Sequence, residues 1–232
     1  LKANYPAEYM AAVLSRNRND TEKMSGFIDE CKKMHIRVKG PDVNESFAEF
    51  GVNSHGDIRF GIAALKGIGE NVAAEILAAR DKGGPFSSIF DFVERVPASA
   101  INRRTIDTFA MAGAFDCFSD EIQREDFFET DHKGQTFSES LIKYGQLFQN
   151  DQQNRGMSLF GDDMDSMTTA ARPQIVHAVR WVDAVRLEKE RELVGTYHSA
   201  NPLDPYFMEL HYGTTDPVSY THLRAHETGR NL

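Results

Sequence analysis

The sequence predicts a mainly α fold: short helices paired through tight turns as a tandem helix-hairpin-helix, a small β-hairpin beside them, and parts of incomplete domains on either side. Three observations predict it. Apolar residues recur at helical spacing through residues 5–35. Glycine, proline and Ser/Asp caps punctuate residues 61–113 at short intervals. A brief apolar/polar alternation flanks the turn Asn53-Ser54-His55-Gly56.

Taken in order, Tyr9, Met10, Val13 and Leu14 share one helical face, and Met24, Phe27, Ile28 and Cys31 share another. Asp20-Thr21 between them reads as a break and a cap, and Gly40-Pro41-Asp42 ends the region. Ser46 to Phe50 and Asp57 to Phe60 then read as the arms of the β-hairpin, an irregular loop being the alternative. Gly61 to Leu65 is a short apolar turn, and Asn71 to Arg80 a helix that follows two glycines. Lys82-Gly83-Gly84-Pro85 is a turn, after which Ser88 opens a helix with Asp91 as its capping-box partner. Arg103 to Met111 is a further helix closed by Gly113. Leu141 to Gln149 is helical, Asn150 to Ala170 is a polar linker, and Trp181 to Val194 is helical again, broken by Asn201-Pro202.

The totals bound the function. The 232 residues allow one large or two small domains, and 41% hydrophobic residues exclude general disorder. A net charge of -9 argues against attraction of the whole chain to nucleic acid, so any phosphate contact must be a local patch or backbone dipoles. Cys31 and Cys117 are too few and too far apart for a zinc site or disulfide framework, which points to a reduced, cytoplasmic compartment. No apolar run is long enough to span a membrane, and the start at Leu1 without Met suggests a piece of something longer.

The stretch Lys66-Gly67-Ile68-Gly69 carries the chemistry. The first amides of the helix after it have no partners within that helix and carry the positive end of its dipole. A phosphate can sit there, and glycines admit its oxygens without a Cβ clash. Ile68 can turn inward as a pin while Lys66 adds a cation. Such a site grips a nucleic-acid backbone without reading sequence. The competing reading is a tight helix–helix turn that uses glycine only for its backbone freedom. A dinucleotide-binding loop is disfavoured, because no third glycine follows Gly69 at the required spacing. Arg59, Lys66, Arg80 and Lys82 surround this unit. A second hairpin is expected over Ile106 to Asp116, with Ala112-Gly113-Ala114-Phe115-Asp116 at its turn and Arg103 and Arg104 opening its leading helix. Two such hairpins could hold both strands of a duplex.

An ordered set of motifs then becomes recognisable: YPAEYMAAVL (5–14), PDVNES (41–46), IRFGIAALKGIGENVAAEI (58–76), GPFSSIFDFVERV (84–96) and NRRTIDTFAMAGAFD (102–116). Together, from about Tyr5 to about Leu210, they resemble the alpha subunits of bacterial DNA polymerase III. The resemblance implies the end of the fingers region over 1–50, a tandem helix-hairpin-helix DNA-binding element over 51–120 and a helical extension over 121–149. It further implies a polar linker with a clamp-binding motif over 150–172 and the approach to an OB-fold domain over 173–212. It implies contacts to primer-template duplex by Arg59, Lys66, Gly67, Ile68, Gly69, Arg103 and Arg104, and to the sliding clamp by Met157, Ser158, Leu159 and Phe160. Leu159 and Phe160 are suited to an apolar pocket on a partner. Gly156 stands where the family pattern starts with glutamine, which weakens the expected clamp affinity.

Other subunits of the polymerase III holoenzyme are implied as partners, and no membrane. The parent family is a DNA-directed DNA polymerase, a nucleotidyltransferase, whose two magnesium ions are held by palm aspartates; these lie upstream of Leu1. No catalytic residue and no resident cofactor are therefore expected in this chain. Asp162, Asp163 and Asp165 do not replace those aspartates, and the spacing of His222 and His226 lacks a third ligand. Residues 213–232 depart from the family and resemble translated adapter sequence, a non-native tail. The alternative function is a non-catalytic helix-hairpin-helix module of a repair or recombination protein, which leaves PDVNES and the clamp-like linker unexplained. A helical scaffold without DNA binding and the error-prone paralogue of the alpha subunit are further alternatives.

Overall fold

In a computed structural model, which describes residues 2–157, 171–200 and 206, everything that follows belongs to the unit Leu1–Ser199. Helix α1 (Pro6–Arg16) buries Met10, Ala11 and Leu14, and pairs with α2 (Thr21–Lys33), which buries Met24, Ile28 and Cys31. Asp20 separates them as the expected cap, its carboxylate accepting from the Lys23 amide at 3.1 Å.

A three-stranded sheet follows, ordered β1–β3–β2: β1 (Val38–Lys39), β2 (Gly51–Val52) and β3 (Ile58–Arg59). The β-hairpin is present as the antiparallel pair β2–β3, with Val52 opposite Ile58. Its first arm is not Ser46 to Phe50. That stretch is irregular and follows a turn at 43–45, and the Ser46 hydroxyl fixes it by donating to the Phe60 carbonyl (2.7 Å) and accepting from the Asp42 amide (2.9 Å). Strand β1 runs parallel to β3, a pairing with no mark in the sequence, because two residues ahead of Gly-Pro carry no periodicity.

The PDVNES turn is a framework piece. Asp42 accepts from the amides of Asn44 (2.7 Å) and Glu45 (3.1 Å). The Asn44 side-chain amide pairs with the main chain of Phe86, accepting from its N–H at 2.7 Å and donating to its carbonyl at 2.9 Å. One side chain thereby ties the turn to the Gly84-Pro85-Phe86 corner as a strand partner would.

A 3-10 turn (Ile62–Ala64) leads through residues 65–69 into α3 (Glu70–Gly83). Helix α4 (Ile89–Arg95) begins at Ser88, whose hydroxyl accepts from the Asp91 amide at 3.1 Å. The Asp91 carboxylate returns to the Ser87 amide (2.9 Å), one residue earlier than a capping box requires. Helix α5 (Arg103–Ala112) starts at Asn102, which accepts from the Thr105 amide at 2.9 Å, and ends at Gly113 with φ +81°. Phe92, Phe109, Phe115 and Phe127 gather behind these helices as mutually edge-on and stacked rings in one buried cluster.

Helix α6 spans Phe137–Met157, longer at both ends than Leu141 to Gln149, so residues 150–157 of the expected linker are helical. Its start is a full capping box: Glu139 N–H donates to the Thr136 hydroxyl (3.3 Å) and Thr136 N–H to the Glu139 carboxylate (3.2 Å). Gln149 fastens its second half to the core by donating to the carbonyls of Val93 and Val96. Ser158, Leu159 and Phe160, the aspartates at 162, 163 and 165, the histidines at 222 and 226 and the tail 213–232 lie outside the described residues.

Residues 171–182 return as an extended strap. Asp126 accepts from the Ala178 amide (2.8 Å), Glu125 accepts from the Trp181 amide (3.0 Å), and Trp181 packs on Phe128. The strap delivers α7 (Asp183–Val194), the stretch assigned to an OB-fold approach, onto α5. Leu187 and Val194 are buried there, and the Lys66 N–H donates to the Leu193 carbonyl at 3.1 Å.

Candidate nucleic-acid interface

The segment Lys66–Gly69 joins two buried anchors. Leu65 is 2% exposed and Ile68 7%, so the chain dips into the core on either side of Gly67. Gly67 has φ +86°, a region that costs an L-residue strain. A Cβ there would also stand 3.0 Å from an Arg104 guanidinium nitrogen. Gly69 is different. Its φ of -84° suits any residue, and an added Cβ meets nothing within 4 Å. Its surroundings are open.

Gly69 caps α3 without a side chain. The first main-chain bond of the helix is Ala73 N–H to the Gly69 carbonyl, 3.2 Å. Among the described residues, the amides of Gly67, Gly69, Glu70, Asn71 and Val72 have no hydrogen-bond partner. Lys66, Gly67, Gly69 and Glu70 are exposed. The result is an open cluster of donors at the positive end of a fourteen-residue helix, with the Lys66 ammonium beside it in no ion pair among the described residues.

The second hairpin lies elsewhere than expected. The turn 112–116 is closed: a Cβ on Gly113 would stand 2.1 Å from an Arg124 guanidinium nitrogen, and that guanidinium is bound to Asp116. The counterpart of 66–69 is residues 96–102, between α4 and α5. Arg103 and Arg104 therefore open its second helix, not its first. Arg103 is committed to carboxylates, Glu139 and Asp107 (3.5 Å). Arg104 is exposed, has no ion-pair or hydrogen-bond partner among the described residues, and lies over Gly67 of the first hairpin.

The structure thus brings Lys66, Gly67, Gly69 and Arg104 together around the pin Ile68. It does not bring Arg59 there. Arg59 donates to the Gly40 carbonyl (3.1 Å) and pairs with Glu45, and its side chain is 11% exposed, a brace for the sheet. Arg80 is likewise internal, donating to the carbonyls of Ser46 (2.7 Å) and Val43 (3.3 Å). Met157 is the last residue of α6.

Two other elements border the hairpin. A groove of about 560 Å³ in front of it is also lined by Arg18 and Asn19, from the α1–α2 turn, and by 191–195 at the end of α7. Arg18 pairs with Glu70, the first residue of α3, and lies 3.7 Å from Glu49. Arg18 carried no motif in the sequence, because the cation and the hairpin are far apart along the chain.

Behind α5, the Glu190 carboxylate of α7 is fully buried. It accepts from the amides of His198 (2.7 Å) and Ser199 (3.0 Å), from the Ser199 hydroxyl, and from Arg124 (3.4 Å). Burial alone would push this carboxyl up. The hydrogen bond and charge of His198, with the donors of Ser199 and the main chain, outweigh it and hold the carboxyl down at about 2.

The family model for the helix-hairpin-helix motif matches residues 35–127. The chain is 36% identical over 220 residues to the DNA polymerase III subunit alpha of Pasteurella multocida, which covers 93% of this chain and 18% of that protein. It is 34% identical over 232 residues to the Vibrio cholerae subunit, covering 98% and 18%, and 33% identical over 215 residues to the Escherichia coli K12 subunit, covering 90% and 17%. The chain spans less than a fifth of the length of these curated relatives. A glycine hairpin inside a matched helix-hairpin-helix segment, and similarity along nine-tenths of the chain, relate it to one segment of the DNA polymerase III alpha subunits.

Proposed function

We propose that this chain holds duplex DNA by its sugar-phosphate backbone, and that it does so as part of a replicative polymerase, keeping the primer-template in place while nucleotides are added elsewhere. The observation that carries the reading is the open set of amides at Gly67 and Gly69–Val72 that have no partner among the described residues, flanked by Lys66 and Arg104. Amides and a mobile ammonium suit phosphate oxygens and read no base, so binding is sequence-independent and falls with salt. The site is local, which reconciles it with a net charge of -9. The resemblance along nine-tenths of the chain favours this reading over a repair or recombination module.

Gly69→Ala is the sharpest test. Its methyl group meets no protein atom within 4 Å, so any loss of thermal stability is confined to the preference of an N-cap for glycine over alanine. On the open face it obstructs the approach of phosphate, and duplex affinity falls about tenfold, ~1.4 kcal/mol. Gly67→Ala adds backbone strain and displaces Arg104, so it lowers both affinity and stability. Fluorescence anisotropy with a labelled duplex at moderate salt measures both, and unchanged affinity in the two variants rejects the hairpin role.

The reading extends to the clamp. Met157, Ser158, Leu159 and Phe160 form an apolar island in a polar stretch, suited to an extended peptide that fills a hydrophobic pocket. Binding to a bacterial sliding clamp, abolished by Leu159→Ala/Phe160→Ala with duplex affinity retained, is the expected result; clamp binding that survives the double change places the contact elsewhere. Other holoenzyme subunits as partners and a cytoplasmic setting belong to the same reading. Among the described residues, no helix is long and apolar enough to cross a membrane.

The resemblance implies two magnesium ions for nucleotidyl transfer in the polymerase III alpha subunits. Among the described residues, no three His, Cys, Asp or Glu side chains are grouped to hold a metal ion. The described residues do not fit that group, and the proposed role of this chain is to hold substrate.

A further inference from the structure

We infer that Arg18, on the turn between α1 and α2, is a further phosphate contact of the hairpin site, oriented for that role by Glu70. The inference rests on the duplex-binding reading above and extends the site outside residues 35–127, the segment that the family model matches.

Glu70 occupies the first position of α3, beside the unpartnered amides. A carboxylate there is favoured by the helix dipole and commonly folds back to accept from those amides. Here it accepts from none of them among the described residues. It reaches sideways to the Arg18 guanidinium instead. A carboxylate turned this way leaves the amides open and places a cation at the edge of the same opening.

Arg18 is fixed more firmly than an ordinary surface arginine. Its side chain is only 25% exposed, and Glu49 stands 3.7 Å from its other terminal nitrogen. A guanidinium has five N–H donors. Arg18 makes one side-chain hydrogen bond among the described residues, the one to Glu70. It also lines the groove that contains Lys66, Gly67, Gly69 and, from the end of α7, Arg191. A backbone phosphate entering this groove meets the amides, the Lys66 ammonium and the spare donors of Arg18. The planar fork suits phosphate oxygens better than a point charge does.

The competing explanation is an ion pair that only neutralises Glu70. A double-mutant cycle in the full 232-residue chain separates the two. Duplex affinity is measured across a range of KCl concentrations for wild type, Arg18→Ala, Glu70→Gln, the double variant and Lys66→Ala. Circular dichroism checks folding, and Arg18→Gln takes the place of Arg18→Ala if alanine unfolds the turn. Arg18→Ala is expected to weaken binding roughly three- to tenfold and to lower the salt slope by about one, and to keep part of that effect with Glu70→Gln in place, whose amide oxygen still accepts from the guanidinium. Loss of the Arg18 effect in the Glu70→Gln background overturns the inference, because Arg18 then serves only its partner. Wild-type binding by Arg18→Ala, with Lys66→Ala weakened, also overturns it and leaves the hairpin intact. Wild-type binding by Lys66→Ala as well means that the duplex-binding reading itself has failed.

Discussion

Glu190→Ala is expected to destabilise the protein by about 3–5 kcal/mol, the range for removing one partner from a buried ion pair. The side chain is wholly buried and gathers donors from Arg124, His198 and Ser199. Without it, the buried Arg124 keeps, among the described residues, only Asp116 as a carboxylate partner, and the amides of His198 and Ser199 lose their acceptor. Urea unfolding at neutral pH measures the loss. Glu190→Gln keeps the volume and one acceptor, so it costs less than alanine. The pH dependence carries its own sign. The folded carboxyl is held at about 2 against an ordinary 4.5. Its contribution, about 3 kcal/mol at 1.36 kcal/mol for each unit, is fully present above about 4.5 and is lost as pH falls toward 2. The stability gap between wild type and Glu190→Gln should therefore close over that interval. A gap that is flat from pH 6 to pH 2 contradicts the assignment.

Phe115→Ala is expected to cost a similar ~3–5 kcal/mol, by a different mechanism. The ring is 3% exposed and packs, among the described residues, against four aromatic rings, with centroids at 5.1 Å (Phe92), 5.4 Å (Phe127), 5.6 Å (Phe109) and 6.2 Å (Phe118). Its removal leaves a cavity bounded by α4, α5 and the segment before α6, elements that cannot all close in at once. The urea midpoint should fall while the slope of the transition is unchanged, because the surface exposed on unfolding is nearly the same. Phe115→Leu refills most of the volume and should recover more than half of the loss. Unlike Glu190→Gln, neither variant should show extra pH sensitivity between 2 and 4.5.

Local signals proved readable where the competing forces were local. The Asp20 cap, the Ser88 helix start, the Gly113 stop and the inward pin at Ile68 each depend on residues a few positions away, and each stands where the chain pattern puts it. The capping box Thr136-Phe137-Ser138-Glu139 is equally local, and it starts α6 at Phe137, ahead of the apolar periodicity that begins at Leu141. Asn102 is local in the same way, and as the cap of α5 it sets the turn between α4 and α5 before Arg103. The rest was not legible, because charge alone does not reveal its partner. Arg59 and Arg80 look like phosphate ligands in a list of cations, yet their guanidinium groups are spent on carbonyls and a carboxylate brought close by the fold. Arg18 looks like any surface arginine until α3 is placed beside it. Strand β1 exists only because β3 lies next to it.

The bond from the Lys66 amide to the Leu193 carbonyl joins residues more than a hundred positions apart. Loop closure over such a distance is entropically costly and is repaid late, after nearer contacts have formed. During synthesis, a chain emerging from the ribosome could complete α3, α4 and α5 while the lysine end of the hairpin still lacked this partner. Final fixing of the glycine turn then waits for α7. The grip on DNA would mature after the helices that carry it, and a truncation before Leu193 would keep the helix-hairpin-helix segment but leave the Lys66 amide without its acceptor.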